Sequence, residues 1–466
     1  MSNKRVEISQ EEIKAQLNVC ERIASQNGGK ERLAQVLTFG CQQNEADSEK
    51  IKGYLSSMGY SLTDDEFEAD VIVINTCAVR EHAEMRVLGN IGALTHSKKL
   101  KPSQIICVCG CMVQQEHIVK KIKKSYKQVD LTFGPDEIWR FPSLLETVMI
   151  DKARVFALSG AGTIAEGIPH SRREGVKAWL SIMYGCDNFC TYCVVPYTRQ
   201  RERSRKAKDV IFEAMELAAD GYKDITLLGQ NVNSYGNDLD EGLNFPQLMR
   251  RINDIEGDFV IRFMTSHPKD ASEELFKAMA DCEKCERHLH LPLQSGSDRI
   301  LKLMNRGYTA KEFLKKVEAV RLYIPDLVLT SDVIVGFPGE TAEDFEETMR
   351  VIESVRFDAM FTFIYSKRQG TPAAKMDDPV TREEKQVRFD RLLRVQNRIS
   401  EEKHMERVGK TERVLIDGKD KDGFLTARTS GGRLLRLLGE DSLIGSFVKV
   451  LIVDCNTWSF KGEIIN

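Results

Sequence analysis

The sequence has no long apolar segment. Nothing in its 466 residues approaches the run of about 18 apolar residues that a membrane span needs. Residues 1–26 also contain no apolar core of the kind found in signal peptides. These absences predict a cytoplasmic protein. In that reducing compartment 12 cysteines are not expected to form a disulfide framework, so clustered cysteines indicate a metal or redox site first.

The sequence also has no excess of charge of either sign. Its 67 Lys and Arg residues against 70 Asp and Glu residues leave a formal net charge of −3. Any affinity for nucleic acid must therefore come from local basic patches rather than from a globally basic surface. A hydrophobic fraction of 42% with 12 prolines excludes a fibrous or largely disordered protein. The length is typical of about three domains.

The first third of the chain predicts an α/β domain. Residues 1–32 form a polar leader in which Ser9 and Glu12 are predicted to make the capping box of a short amphipathic helix. The apolar runs QVLTFGC, ADVIVINTC and SQIICVCGC each precede a helix-compatible segment, which predicts a parallel sheet with crossover helices over residues 33–149. A stretch rich in Gly and Ala, residues 150–171, is predicted to be a linker.

Two further domains are predicted after this linker. Six apolar runs alternate with helical segments over residues 172–402, which favours a partial or complete TIM-type α/β barrel that ends in a long charged helix. Residues 404–466 contain short β-like runs between Gly and Asp turns, which predicts a small closed β-barrel. Its 10 basic and 9 acidic residues, counted over 405–466, give little support for nucleic-acid binding by charge.

Three cysteines lie within eight residues directly after the first predicted barrel strand. Cys186, Cys190 and Cys193 have the spacing C-x3-C-x2-C. A structural zinc site needs four protein ligands, and the nearest further candidates, His170 and Cys282, are distant in sequence. Three thiolates suit a 4Fe-4S cluster in which one iron stays open for a bound molecule.

A second set of cysteines is spread over the first domain. Cys41, Cys77 and Cys111 each occur where a predicted strand ends and a helix begins. Because the carboxyl ends of parallel strands share one edge of a sheet, the three thiols can converge there and hold a second cluster. The alternative is three separately buried cysteines. Cys107 and Cys109 are interpreted as packing residues.

The segment CEKCERHLH offers a competing zinc set. Cys282, Cys285, His288 and His290 supply two thiols and two imidazoles. The ligand pairs lie closer together than in usual zinc sites, so we favour structural roles for them. His290 is expected to face the barrel interior.

The segment CDNFCTYC, with Tyr192 before its last cysteine, resembles the signature of the radical S-adenosylmethionine (SAM) superfamily. This resemblance implies that the open iron chelates the amino and carboxylate groups of SAM, whose one-electron cleavage yields a 5′-deoxyadenosyl radical. Together with LLGQNVNSYG, LHLPLQSGSDRILKLMNRGYT, DVIVGFPGET and YSKRQGTPAA, the three earlier cysteine segments make the chain similar to the methylthiotransferase family. The likeness runs from Leu33 to Asn466 and includes a C-terminal segment like the TRAM domain.

The family resemblance implies an activity. Within the family, the segments NTCAVRE, CTYCVVPYTR and RERSR most closely resemble the members that add a methylthio group to C2 of N6-(dimethylallyl)adenosine at tRNA position 37. In such enzymes an auxiliary 4Fe-4S cluster handles the sulfur, and SAM serves as methyl donor and radical source. Implied partners are the tRNA anticodon stem-loop, an electron donor protein and a sulfur or cluster supplier, with no membrane and a monomeric chain. Alternatives are methylthiolation of N6-threonylcarbamoyladenosine in tRNA or of an aspartate in a ribosomal protein. A non-enzymatic zinc-containing protein that binds RNA is the alternative of another class.

Several polar and glycine residues follow predicted barrel strands, at the end of a barrel where ligands bind. Those expected to contact SAM or the substrate are Gln230, Asn231, Ser266, Gln294, Ser295, Gly336 and Gly339. Capping of the following helix is an equally suitable role for each Asn or Ser in this group.

A row of alternating arginines follows the three clustered cysteines. Contacts to tRNA phosphates are predicted for Arg199, Arg201, Arg203 and Arg205. The alternative is a solvated loop that pairs with neighbouring acids. Members of the resembled family commonly carry Gly where this chain has Gln200, so the resemblance implies that a positive-φ turn is altered here.

Overall fold

The computed structural model describes residues 5–78, 81–158, 160–172 and 175–465. Three predicted segments are affected by the gaps. Residues 1–4 of the leader, residues 173–174 near the start of the α/β barrel and residue 466 at the end of the small β-barrel lie outside these ranges. The chain divides into two compact units. The first, called the sheet unit here, comprises residues 1–173, 183–187 and 193–205; the second, called the barrel unit, comprises residues 174–182, 188–192 and 206–466. Within the described ranges no helix is apolar over a length that would cross a membrane.

The elements alternate between strands and helices along most of the chain. The helices are α1 (Gln10–Gln26), α2 (Gln42–Ser57), α3 (Glu81–Leu100), α4 (Glu116–Ser125), α5 (Phe141–Asp151), α6 (Val195–Thr198), α7 (Ala207–Ala219), α8 (Phe245–Asn253), α9 (Glu273–Asp281), α10 (Asp298–Leu303), α11 (Ala310–Tyr323), α12 (Ala342–Val355) and α13 (Arg382–Met405). The strands are β1 (Val6–Glu7), β2 (Arg32–Phe39), β3 (Tyr60–Leu62), β4 (Val71–Thr76), β5 (Ile105–Gly110), β6 (Leu131–Phe133), β7 (Val155–Ala157), β8 (Thr163–Ile164), β9 (Lys177–Ser181), β10 (Met183–Tyr184), β11 (Arg203–Ser204), β12 (Asp224–Leu228), β13 (Val260–Phe263), β14 (His288–His290), β15 (Val328–Val335), β16 (Ala359–Ile364), β17 (Thr411–Lys419), β18 (Leu425–Arg428), β19 (Leu434–Leu437), β20 (Phe447–Cys455) and β21 (Ser459–Ile464).

The sheet unit is built on one parallel sheet with the strand order β3-β2-β4-β5-β6-β7. Every residue of β4 is buried, because apolar cores cover both faces of the sheet, as expected of parallel sheets. Cys107 and Cys109 lie fully buried in one of these cores, which confirms their interpretation as packing residues. The three strands that the sequence predicts are β2, β4 and β5.

The predicted leader and linker are integral parts of the sheet unit. Ser9 and Glu12 form the predicted capping box of α1. This helix buries Ile13 and Ile23 against the sheet, because its apolar residues recur at helical spacing and form one stripe. The predicted linker supplies β7, the sixth strand of the sheet, and β8, which pairs with β1. The compact sheet unit thus includes the residues predicted as leader and linker, and the predicted domain bounds of 33–149 stay a prediction.

The barrel unit contains all six predicted strands in parallel arrangement. They form two three-stranded sheets, β13-β12-β9 and β14-β15-β16, joined by a parallel bridge between Ile261 and Cys285. Among the described residues β9 and β16 do not pair with each other, so the barrel is partial. The predicted long helix is α13, which starts at a capping box between Thr381 and Glu384.

The C-terminal strands close into a five-stranded barrel with the order β17-β18-β19-β21-β20, as the sequence predicts. Its interior is filled by alternate side chains of each strand, including Val414, Leu435 and Phe460. An ion pair of Lys177 Nζ with Asp417 Oδ2, at 2.6 Å, joins this small barrel to the first strand of the α/β barrel.

Candidate metal centre and its surroundings

Three cysteines of the sheet unit lie at one edge of the sheet. Cys41 follows β2, Cys77 follows β4 and Cys111 follows β5. The three strands are neighbours in the sheet, and their last residues are register partners. The predicted placement of these cysteines at a shared carboxyl edge is thus found in the structure.

Two glycines allow the cysteine loops to approach one another. A Cβ atom on Gly40 would lie 2.5 Å from Asn44 Oδ1 and 2.9 Å from the Cβ atom of Cys77. Gly110 has a φ angle of 96°, and a Cβ atom there would lie 2.3 Å from the carbonyl oxygen of Thr76. Side chains at these two positions would collide with a neighbouring loop, so the Gly-Cys turns require glycine.

A buried pair of asparagines fixes the first loop to β4. Asn44 Nδ2 donates to Asn75 Oδ1 at 3.0 Å, and Asn75 Nδ2 donates to the carbonyl oxygen of Asn44 at 2.8 Å and to Ser48 Oγ at 3.0 Å. Cys41 Sγ donates to Asn44 Oδ1 at 3.4 Å. Both asparagines are fully buried, and a fully satisfied buried network of this kind holds its members in one arrangement. The sequence analysis did not single out either residue.

The thiols of this edge differ in protonation. The hydrogen bond with Cys77 and the charge of Arg199 together lower the pKa of Cys41 to about 6, against the opposing effect of burial. Burial raises the pKa of Cys111 to about 11, although Arg199 Nε donates to its sulfur at 3.0 Å. In the described part of the chain no three His, Cys, Asp or Glu side chains already stand in metal-binding geometry. Binding of a metal cluster must therefore displace the proton of Cys111.

Three of the four arginines predicted to contact tRNA, Arg199, Arg203 and Arg205, are buried in this structure, and their contacts to tRNA stay a prediction. Each is paired with a carboxylate inside the sheet unit. The pairs are Arg199 Nη2 with Asp47 Oδ2 at 2.7 Å, Arg203 Nη2 with Asp136 Oδ1 at 2.5 Å and Arg205 Nη2 with Glu166 Oε2 at 2.6 Å. These carboxylates belong to segments that are distant in sequence from the arginines.

Arg201 is the one of the four whose side chain remains largely at the surface, with 39% of its area exposed. Its guanidinium makes a double hydrogen bond to the carboxylate of Asp187, at 2.6 and 2.8 Å. An exposed ion pair of this kind is weak enough to exchange for a phosphate, so the tRNA contact stays a prediction for this residue.

Gln200 keeps the positive-φ turn that the resemblance implied to be altered. Its φ angle is 65°, in the left-handed region that glycine adopts more easily. Its side chain amide donates to the carbonyl oxygen of Tyr197 at 3.4 Å, and its own carbonyl oxygen accepts from the backbone N–H of Cys186 at 3.2 Å. The turn is thus retained, although glutamine adopts this backbone conformation less favourably than glycine does.

Cys190 belongs to the barrel unit, where Arg306 contacts its sulfur. Nη1 of this arginine donates to Cys190 Sγ at 3.3 Å, Nη2 donates to the carbonyl oxygen of Pro292 at 3.0 Å, and Nε donates to Tyr308 Oη at 3.1 Å. Tyr308 Oη in turn donates to the carbonyl oxygen of Leu293 at 2.7 Å. The buried guanidinium is therefore held by the loop that follows β14.

The segment around Cys190 is anchored by the loop after α10. Asn305 Nδ2 donates to the carbonyl oxygens of Asn188 and Phe189, at 3.0 and 3.1 Å. The backbone N–H of Thr191 donates to the carbonyl oxygen of Met304 at 3.0 Å. The sequence analysis missed Asn305 and Arg306, whose only signal was their place in the segment LKLMNRGYT.

A group of buried polar atoms lies in the loops after β12 and β13 without a hydrogen-bond partner. These atoms are Gln230 Oε1, Asn231 Oδ1, Asn233 Nδ2, Asn233 Oδ1, Ser266 Oγ and His267 Nε2. Buried polar groups normally find partners, because leaving one unpaired costs about 1–3 kcal/mol. The cluster therefore suits a polar ligand. It includes three predicted contact residues and two, Asn233 and His267, that the sequence analysis missed.

The remaining predicted ligand contacts have mixed surroundings. The hydroxyl of Ser295 hydrogen-bonds to a threonine of α12 at 3.3 Å, and Gln294 has a φ angle of 68°. A Cβ atom on Gly336 would lie 2.3 Å from Lys385 Cγ, so packing against α13 accounts for this glycine, whereas Gly339 faces open space. Structural roles thus explain Ser295 and Gly336, while Gly339 leaves room for a ligand.

The competing zinc set has other partners in the structure. Cys285 Sγ lies 3.6 Å from Met249 Sδ in a buried site. His288 Nε2 and His290 Nδ1 both hydrogen-bond to Thr330 Oγ1, at 2.8 and 2.9 Å. These contacts support the structural roles that we favour for His288, His290 and Cys285, which stay a prediction.

Comparison with known proteins gives matches along the whole chain. Family models match at residues 180–352 (Radical SAM superfamily), 34–134 (Uncharacterized protein family UPF0004) and 406–465 (TRAM domain). A tRNA-2-methylthio-N(6)-dimethylallyladenosine synthase of Acetivibrio thermocellus is 50% identical over 99% of this chain and 98% of its own length. A protein of the same name from a Thermoanaerobacter species is 49% identical, with 98% of each chain covered.

One solved structure illustrates the fold. A radical S-adenosylmethionine methyltransferase from Kitasatospora setae, with tryptophan substrate and a SAM analogue bound, superposes with a TM-score of 0.55 and covers 74% of this chain and 75% of its own. At 15% sequence identity this likeness concerns the fold alone.

Proposed function

Since the chain belongs to the tRNA-2-methylthio-N(6)-dimethylallyladenosine synthase family, we propose that it replaces the C2 hydrogen of N6-(dimethylallyl)adenosine at tRNA position 37 with a methylthio group. It is a radical SAM enzyme that modifies tRNA and uses 4Fe-4S clusters together with SAM. The observation that carries this function is the convergence of three cysteine loops at one edge of the sheet unit, in a chain that also has the C-x3-C-x2-C segment of a radical SAM domain.

Two sets of three thiols supply the cluster ligands in this proposal. The auxiliary cluster is held by Cys41, Cys77 and Cys111, and the SAM-binding cluster by Cys186, Cys190 and Cys193. When bound, the clusters would supply one electron for SAM cleavage and the sulfur that leaves in the product. Three ligands for four irons leave one open coordination site in each set, for SAM in one and for exchangeable sulfur in the other.

The division of the chemistry explains why two sites are needed. Conversion of an aromatic C–H bond to C–S–CH3 needs a group that removes the hydrogen, a sulfur atom and a methyl group. One SAM molecule provides the methyl group and a second accepts the hydrogen after its cleavage. The unpaired buried atoms of Gln230, Asn231, Ser266 and His267 are suitable partners for the polar groups of SAM or of the nucleoside.

Two aromatic rings of β16 favour the dimethylallyl substrate over the threonylcarbamoyl alternative. Phe361 and Phe363 lie on the same face of the strand and are exposed, the first by 53%. His290 packs edge-on against Phe361 with 5.9 Å between ring centroids, and its Nε2 lies 3.4 Å from Asp332. An apolar surface beside a carboxylate suits an uncharged hydrocarbon substituent and repels the carboxylate of a threonylcarbamoyl group.

The partners follow from the reaction. The substrate is tRNA, and Arg201 stays the candidate for a phosphate contact from the alternating arginines. One-electron cleavage of SAM needs an electron donor protein, and each turnover removes a sulfur that a supplier must replace. A monomer acting in the cytoplasm completes the proposal.

Mass spectrometry of tRNA nucleosides tests this function. Cells that lack the gene are expected to lose 2-methylthio-N6-(dimethylallyl)adenosine and to accumulate N6-(dimethylallyl)adenosine, and the gene on a plasmid should restore the methylthio product. An unchanged nucleoside profile would refute the substrate assignment. Loss of a methylthio group from threonylcarbamoyladenosine instead would favour the alternative tRNA substrate.

A further inference from the structure

Within the sheet unit, Arg199 makes an ion pair with a carboxylate and also a hydrogen bond to a cysteine sulfur. Its side chain is 5% exposed, its Nη2 donates to Asp47 Oδ2 at 2.7 Å, and its Nε donates to Cys111 Sγ at 3.0 Å. A charge this deeply buried is costly unless a counter-charge or several hydrogen bonds compensate it. The guanidinium therefore has a fixed position against the third cysteine of the auxiliary set.

Both the backbone of Arg199 and the carboxylate that pairs with its side chain are fixed by hydrogen bonds. The backbone N–H of Arg199 donates to the carbonyl oxygen of Val195 at 2.8 Å, which places the residue at the end of α6. Asp47 lies in α2, the helix that begins directly after Cys41, and its other oxygen accepts from Gln43 Nε2 at 3.3 Å. The pair thus joins the helix that follows the first cysteine to the sulfur of the third.

The position of this cation matters for a cluster with three thiolate ligands. Such a cluster is anionic, and it becomes more negative when it takes up an electron or binds a sulfur anion at its open iron. Hydrogen bonds to the ligating sulfur and nearby positive charge stabilise the more negative state. Burial strengthens the effect, because little solvent screens the interaction.

We propose that Arg199 is a positioning residue of the auxiliary site: aimed by Asp47, it donates to the sulfur of Cys111 and stabilises negative charge on the cluster and on the sulfur bound at its open iron. The inference deepens the proposed function and rests on it, because it requires a cluster at Cys41, Cys77 and Cys111. It also explains why this arginine is buried.

The chain offers a matched control in Arg203. This arginine is also buried in the sheet unit and pairs with a buried carboxylate, Asp136, at 2.5 Å. Its further hydrogen bonds go to the backbone carbonyl oxygens of Thr163, Arg199 and Arg201. Its described hydrogen bonds thus include none to sulfur, so substitutions in this pair test burial and ion pairing without the sulfur contact.

The test uses the full-length chain with Cys186, Cys190 and Cys193 replaced by Ala, so that a reconstituted cluster can form only at the auxiliary cysteines. Its midpoint potential is measured by redox titration followed by electron paramagnetic resonance. Arg199→Gln removes the positive charge and should shift the potential to a more negative value. Asp47→Asn leaves the arginine less neutralised and should shift the potential to a more positive value. Arg203→Gln and Asp136→Asn should shift it clearly less, because the described hydrogen bonds of Arg203 reach Arg199 only at its backbone carbonyl and include none to sulfur.

Shifts of the midpoint potential with opposite signs in Arg199→Gln and Asp47→Asn support the proposal. A purely structural role would loosen the site in both variants and would shift the potential in the same direction in both. Equal or absent shifts, or shifts of the same size in the control pair, overturn it. If Arg199→Gln does not retain iron, Asp47→Asn decides alone: a more positive potential supports the proposal and any other result overturns it.

The outcome is separable from that of the proposed function. If the parent enzyme makes the methylthio product but the potentials of Arg199→Gln and Asp47→Asn do not shift, only the proposed role of Arg199 is overturned. A parent chain that binds no iron at the auxiliary cysteines overturns both.

Discussion

The sheet unit and the barrel unit each place a positive charge beside a cysteine sulfur, but the surroundings of that charge differ. In each, a buried arginine donates to the sulfur of one predicted cluster ligand: Arg199 to Cys111 in the sheet unit and Arg306 to Cys190 in the barrel unit. The first arginine also pairs with the carboxylate of Asp47, whereas the described hydrogen bonds of the second go to carbonyl and hydroxyl oxygens and to sulfur.

This difference determines how much positive charge acts on each sulfur. An ion pair is a dipole whose field falls off quickly, while a cation without a carboxylate partner acts at its full charge in a poorly screened interior. The auxiliary site is thereby suited to a sulfur ligand that must be bound and released. The SAM-binding site is suited to hold a reducible, strongly anionic centre.

The largest expected effects separate the two sets of cysteines. Cys190→Ala should abolish reductive cleavage of SAM, because the cluster that binds SAM cannot form with two ligands. Cys111→Ala should leave SAM cleavage intact and stop formation of the methylthio product. Production of 5′-deoxyadenosine and of the modified nucleoside is measured by mass spectrometry in the same reactions.

Cys455→Ala is the matched control for both substitutions, because this cysteine lies in strand β20 of the C-terminal barrel and belongs to neither set. It should change neither product. If Cys111→Ala made the methylthio product at the full rate, the assignment of the auxiliary set would be wrong and the comparison between the units would lose its basis.

The next effect concerns the arginine of the barrel unit. Arg306→Gln removes from Cys190 a cation that has no carboxylate partner among the described residues, so reduction of the cluster becomes harder and SAM cleavage should slow by roughly 10-fold or more. Arg199→Gln should shift its own cluster less, because the carboxylate of Asp47 already offsets part of the charge of Arg199 in the parent chain. The two midpoint potentials, measured in the same way, check this order.

Arg306→Lys serves as the control, since it retains the charge but loses the fixed fork of donors. Its potential should stay closer to that of the parent than the potential of Arg306→Gln. A larger shift at Arg199 than at Arg306 would contradict the proposed difference between an ion pair and a lone cation.

The sequence predicts the framework of both units well, because strand and helix periodicities are local properties of the chain. All six barrel strands, the strands that end at Cys41, Cys77 and Cys111, and the capping box of α1 are found where they were predicted. The placement of the three cysteines at one edge follows from the topology of parallel sheets. The closed C-terminal barrel was likewise predicted from its short strands and turns.

The partners of the charged residues could not be predicted in this way. Arg199 and Asp47 are 152 residues apart, and Arg306 and Cys190 are 116 residues apart. Alternating arginines on an extended segment give the same pattern whether they face solvent or enter a neighbouring core. The packing of the polar leader is a similar case, because a narrow apolar stripe on a charged helix is enough to bury one face of the helix against a sheet.

The smallest effect tests the backbone of the segment that carries the arginines. Gln200 has a left-handed conformation that costs a residue with a side chain about 1–2 kcal/mol relative to glycine. Gln200→Gly relieves this strain, although it also frees the unfolded chain and removes the bond to the carbonyl of Tyr197. The free energy of unfolding should rise by about 1 kcal/mol, as measured by chemical denaturation of the cluster-free protein. Gln200→Ala loses the same side chain bond without relieving the strain, so it should not stabilise the protein. If both variants were equally stable, the side chain of residue 200 and not its backbone conformation would determine the stability of the turn. Glycine at this position in relatives would then give no advantage in the free energy of unfolding.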